Sequence, residues 1–148
     1  MKQSKVAYSK EVGKAKQELF KEAFKRVDRA IKLGFHLEAI TIIESIICDN
    51  FETIISIKKD QKIFPGTLGP LVKEIMALNV APIDLLHDLD EWRRHRNQIL
   101  HQIVKITNME SVNWKARYKF AREVAIDGRE LIKRVQKLVQ KVKRESSL

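Results

Sequence analysis

The sequence predicts an all-α fold, an up-and-down bundle of four long helices plus one short helix, in a single domain covering residues 1–148. Three observations predict it. Apolar residues recur at steps of three and four along most of the chain, the spacing that gathers them on one side of a helix. The most apolar segment, residues 35–57, is longer than an ordinary strand, and its polar residues do not alternate. Breaks stand between the periodic stretches, at Gly34, at Phe64-Pro65-Gly66 and from Asn79 to Pro82.

The first helix is expected from about Ser9 to Leu33, with Phe20, Phe24, Val27 and Ile31 as its apolar stripe. Gly34 follows as the stop, and residues 1–8 are expected to be flexible. The second, from Phe35 to about Ile57, is apolar nearly all round. That predicts two buried faces, one toward the core and one toward a partner subunit. Glu44 is the exception among its isoleucines, and a carboxylate placed there needs a cation or hydrogen-bond donors. After a polar loop from Lys58 to Gly66, Thr67 caps a short helix to about Leu78. Pro82 suits the first turn of the next helix, which runs to about Lys105. Thr107 to Asn113 is a turn. The last helix, Trp114 to about Arg144, carries a continuous stripe from Tyr118 to Val142 that is interrupted only by Gly128. A glycine there costs about 1 kcal/mol against alanine, so close packing of another helix is its expected reason. Residues 145–148 are expected to be flexible.

Charge narrows the function. With 29 basic and 19 acidic residues the net charge is +10, which favours an anionic partner such as nucleic acid, unless the basic faces serve only solubility. Cys48 is the single cysteine and lies in an isoleucine-rich run, so it reads as an inert thiol, and neither a disulfide framework nor a cysteine metal site is available. The first residues lack the apolar stretch of a signal peptide, and no window reaches the roughly twenty apolar residues of a membrane span, so a cytoplasmic location is expected.

Within the fourth predicted helix, Leu85, Leu89, Trp92, Ile99 and Ile103 form the apolar stripe, and Arg96 occupies a slot in it. Burying a guanidinium is costly unless it is paired, and Glu44 is the expected partner. His87 and His95 are eight residues apart, and His95 and His101 six. Neither is the step of four that puts two imidazoles together on a helix, so no metal or cofactor is expected. No Gly-x-Ser-x-Gly elbow is present for a hydrolase. Arginine and histidine remain. Cutting RNA without a metal needs a base for the 2′-hydroxyl, an acid for the leaving 5′-oxygen and fixed positive charge on the phosphorus oxygens, roles that histidine and arginine fill. Arg94, Asn97 and His101 share one helix face.

The run Arg96-Asn97-Gln98-Ile99-Leu100-His101, an arginine, a polar residue directly after it and a histidine after four intervening residues, resembles the signature of the HEPN superfamily of helical ribonucleases. The order of helices resembles HEPN domains over most of the chain. The resemblance implies a metal-independent endoribonuclease, the toxin of a toxin–antitoxin pair or an effector of phage defence, acting on RNA as a homodimer with two motifs facing each other. It implies that Arg96 stabilises the transition state, Asn97 supports it and His101 is the acid or base, and that an antitoxin protein restrains the enzyme. Arg94 also stands at a spacing the family permits, so either arginine can be the working one. One HEPN class carries a tyrosine two residues after the histidine, modified by its antitoxin; here that position is Ile103, which argues against that mode of restraint.

On an ideal helix Arg96 and His101 lie about 140° apart and about 7.5 Å along the axis, so they do not share a face. Either the helix bends near Asn97, or a second subunit completes the site. Lys133, Lys137 and Lys141 are candidates for steering RNA to it. Two other readings fit the same residues: a non-catalytic HEPN-like module that dimerises or binds nucleotides or RNA, and a helical nucleic-acid-binding regulator.

Overall fold

The computed structural model describes residues 2–60, 66–104 and 113–147, the first nine of them as backbone alone. Among the described residues the chain is all-α. Its helices are α1 (Lys2–Leu33), α2 (His36–Lys59), α3 (Leu68–Leu78), α4 (Ile83–Gln102) and α5 (Trp114–Ser146). Both long terminal helices run further than the sequence suggested. Helical backbone starts at Lys2 rather than near Ser9, and α5 continues through Glu145 and Ser146. Most of the Thr107–Asn113 turn lies outside the described residues.

Gly34 stops α1 as expected, and the geometry gives the reason. Its φ is +88°, the Phe35 amide donates to Ala30 O at 2.7 Å, and the Gly34 amide donates to Ile31 O at 3.3 Å. This pair of bonds satisfies the last carbonyls of the helix and turns the chain straight into α2. Asn79, with φ +54°, ends α3 in the same left-handed conformation. Thr67 precedes α3 without a side-chain capping bond, and Pro82 stands just outside α4 rather than in its first turn. At α5 the cap is Asn113, whose side chain accepts from the Lys115 amide at 2.8 Å.

The core is assembled around α2. Ile40, Ile43, Ile47, Phe51 and Ile54 have no exposed surface, and α2 shares its broadest contact with α5 while also packing on α1 and α3. The expectation that α2 keeps an apolar face for a partner subunit is therefore corrected. Periodicity shows that two faces are buried, and here helices of the same chain bury them. Val124, Ala125, Leu131, Ile132 and Val135 form the facing stripe of α5.

Pairing of α4 with α5 is antiparallel, set by three contacts along their length. Arg117 donates to Gln102 O and Ile103 O at 3.1 and 2.9 Å. In the middle, Trp92 Nε1 donates to Val124 O at 2.8 Å. Toward the other end Arg134 binds Asp88 at 2.6 Å and reaches Asp84 at 3.5 Å. Gly128 is explained by the central contact. A Cβ on it would lie 2.7 Å from Trp92 Nε1, so only glycine lets the indole rest on the α5 backbone. No helix among the described residues is long and apolar enough to cross a membrane.

The buried polar exception at the start of α2 is His36, only 4% exposed, with its ring 4.9 Å from that of Tyr118. Burial, and next the positive charge of Arg122, hold its pKa below the ordinary value of 6.5. The unfolded chain therefore takes up the proton more readily than the folded one. The stability His36 contributes is complete above its unfolded pKa and is lost as pH falls below it. Urea unfolding should accordingly show a steeper loss of stability from pH 7.5 to pH 5 in wild type than in His36→Phe. Equal losses would remove His36 from the acid response.

Candidate functional site

Helix α4 carries the site, and the reason it holds its place is its stripe. Leu85, Leu89, Trp92 and Ile99 are buried, and Arg96 fills the slot between the last two with its side chain 13% exposed. The expected pair forms. Arg96 Nη2 donates to Glu44 Oε1 across the α2–α4 interface, and Nη1 donates to Asn97 Oδ1 at 2.6 Å. Glu44, Arg96 and Asn97 thus form a continuous chain from the interior to the surface. Because the guanidinium can only donate, Asn97 must turn its oxygen inward, which leaves its NH2 group as a donor on the outer side.

Arg94 lies elsewhere. It is 73% exposed and reaches Asp90 Oδ2 at 3.0 Å, while Arg93 takes Asp90 Oδ1 through two nitrogens at 2.9 and 3.1 Å. The hydrogen bonds from Arg93, foremost, hold the Asp90 carboxyl below its usual range, and partial burial opposes them. An exposed pair of this kind is worth less than about 1 kcal/mol, so Arg94 can exchange Asp90 for a phosphate at little cost. Arg96 has no such freedom, because releasing it strands Glu44 at a partly buried interface.

His101 is exposed in the last turn of α4. With Arg94 and Asn97 it lines one open surface, whose floor is completed by Gln98 and Gln102. The two glutamines also border a cleft of about 300 Å³ between α4 and α5, lined on its apolar side by Ile99, Ile103 and Phe120. The structure therefore brings Arg94, Asn97 and His101 together and keeps Arg96 behind them.

Comparison with family models, curated proteins and solved structures finds no match to this chain. The site is accordingly read from its own chemistry.

Three residues expected to steer RNA do not reach it. Given the antiparallel pairing, Arg117 marks the level of the α4 C-terminus, and Lys133 and Lys141 stand about 24 and 36 Å further along α5 at 1.5 Å per residue. Lys133 pairs with Glu130 at 3.0 Å, and Lys137 and Lys141 are exposed beyond it. The basic residues at the level of the α4 C-terminus are instead those of the first turns of α5, among them Lys115, Arg117 and Lys119. Their sequence signal was a run of alternating basic residues after Trp114, whose level against α4 depends on the α4–α5 pairing. Cys48, one turn after Glu44 on α2, is not a nucleophile. Burial, followed by Glu44 and Glu52, pushes its thiol up to about 12.

Proposed function

We propose that the protein is a metal-independent endoribonuclease of HEPN type, a single-domain up-and-down helical bundle that acts as a homodimer. We place it as the toxin of a toxin–antitoxin or phage-defence system in the cytoplasm, restrained by an antitoxin protein. The observation that carries this reading is the shared surface of Arg94, Asn97 and His101, with Asn97 fixed from behind by Arg96 and Glu44. That surface presents one imidazole, one exposed guanidinium and one oriented amide donor, the set that in-line cleavage of a phosphodiester calls for.

In this mechanism Arg94 and the outward NH2 of Asn97 bind the non-bridging oxygens of the scissile phosphate. His101 removes the 2′-hydroxyl proton, the 2′-oxygen attacks phosphorus, and the 5′-oxygen leaves with a proton supplied by His101 of the second copy. Arg96 acts as a positioning residue. This assigns the working arginine to position 94 and explains how the motif functions although Arg96 and His101 do not share a face.

Purified protein should cleave RNA in the presence of EDTA and leave 2′,3′-cyclic phosphate ends. His101→Ala should lower the rate by roughly 10²–10⁴, the usual contribution of a general acid or base, with an unchanged circular dichroism spectrum. A wild-type protein that cuts no RNA, or a His101→Ala variant that cuts at the wild-type rate, would end the proposal. The non-catalytic HEPN-like reading rests on the commitment of Arg96 to Glu44, and its signature is a stable dimer that leaves RNA intact.

A further inference from the structure

Where α4 ends and α5 begins, the molecule presents an aromatic ladder that the cleavage chemistry does not use. Its base is His36, buried at the start of α2 with Nδ1 unpartnered among the described residues. Tyr118 rests on His36 with ring centres 4.9 Å apart, and Trp114 lies over Tyr118 at 6.3 Å with the planes only 19° from parallel. The top of the ladder is open. Trp114 is 54% exposed although it could be buried to advantage, whereas the chain's other tryptophan, Trp92, is 3% exposed.

Charge around the ladder is one-sided. Residues 114–122 of α5 include Lys115, Arg117, Lys119 and Arg122 and no acid, and the first turn of the helix has no acidic residue. The dipole at a helix N-terminus favours anions and disfavours cations, so this arrangement opposes the local stability of α5. An anionic ligand would reverse that conflict.

The ladder also stands at the same end of the bundle as the candidate active surface. Arg117, one turn along α5 from Trp114, holds the carbonyls of Gln102 and Ile103 directly after His101. Ala116 and Arg117 also line the cleft that shares Gln98 and Gln102 with the His101 surface.

We propose that Trp114 is a stacking platform for a base of single-stranded RNA, at the end of the bundle that carries the His101 surface. The occupant is a nucleic acid, because a phosphate backbone complements the basic residues around the ladder. A parallel, half-open indole accepts any base on its free face. The platform rests on the ribonuclease reading for its substrate, and its test needs no cleavage.

The test uses the full chain and a fluorescein-labelled, uncleavable 2′-O-methyl oligoribonucleotide of mixed sequence. Binding to wild type should quench the exposed tryptophan in step with the rise in anisotropy. Trp114→Ala should weaken binding about tenfold to a hundredfold, Trp114→Phe should restore most of it, and an abasic oligomer should bind wild type as weakly as the normal one binds Trp114→Ala. Because Trp114 is exposed, circular dichroism should show the variants folded. Wild-type affinity in Trp114→Ala overturns the platform, as does quenching by anionic phospholipid vesicles but not by RNA. Loss of self-association in Trp114→Ala with RNA binding intact also overturns it, by making the surface a dimer contact. Each of these three results leaves the His101 cleavage test untouched, and intact stacking with no cleavage would reject the nuclease alone.

Discussion

Trp92→Ala is expected to cost about 3–5 kcal/mol of stability, the usual loss for a large aromatic side chain removed from a packed core. For a chain of this size that lowers the melting temperature by roughly 10 °C. Trp92 fills the α4–α5 interface and its Nε1 satisfies Val124 O, so both packing and a buried hydrogen bond are lost. Gly128→Ala attacks the same contact from the other side. The added methyl would lie 2.7–2.9 Å from three atoms of the indole, which is buried and hydrogen-bonded to Val124 O. Despite the better helix propensity of alanine, we expect a net cost of about 2 kcal/mol. In the Trp92→Ala background the methyl has room, and Gly128→Ala should become neutral or stabilising by up to about 1 kcal/mol. Urea unfolding of the four proteins measures this coupling, and simple additivity of the two losses would show that the indole does not press on Gly128.

Arg96→Met is expected to destabilise by about 1–3 kcal/mol. Breaking a fully buried pair costs more, but Glu44 retains 23% side-chain exposure and regains some hydration. Glu44→Leu alone leaves the guanidinium without its carboxylate and should be similarly harmful. The double variant places two apolar side chains together and should lose less than the sum of the singles. Arg94→Ala, at an exposed position, should stay within about 0.5 kcal/mol of wild type. Cleavage rates then separate the arginines. If Arg94 holds the phosphate, Arg94→Ala slows cleavage while the protein stays fully folded. Robust cleavage by Arg94→Ala, together with none by a well-folded Glu44→Leu/Arg96→Met protein, would reassign the phosphate to Arg96.

The features legible in the sequence were those that break a local pattern and have one simple repair. Arg96 in an apolar stripe and Glu44 in an isoleucine run each demand an opposite charge, and each is the other's partner. Gly128 in a helix demands a close neighbour, and Gly34 after a stripe demands a left-handed stop. What stayed hidden depends on how helices pair. Periodicity shows that α2 is buried on two sides but not that α1, α3 and α5 do the burying. Lys133 and Lys141 lie on the same helix as Trp114, and only the antiparallel docking of α4 shows that the far end of α5 is remote from His101. His36 and Tyr118 belong to segments far apart in sequence, so their tilted ring contact had no local signal.

The contact between Trp92 and Gly128 has a consequence beyond stability, because it acts as a registration mark. α5 contains no second glycine, so sliding α4 by one turn in either direction would drive the indole against a side chain. From that mark, about 13 Å of α4 leads to His101 and about 21 Å of α5 leads back to Trp114. Helix lengths counted from a single notch thus determine how far the candidate cleaving histidine stands from the exposed indole, much as a ruler fixed at one point sets the spacing of everything ruled along it.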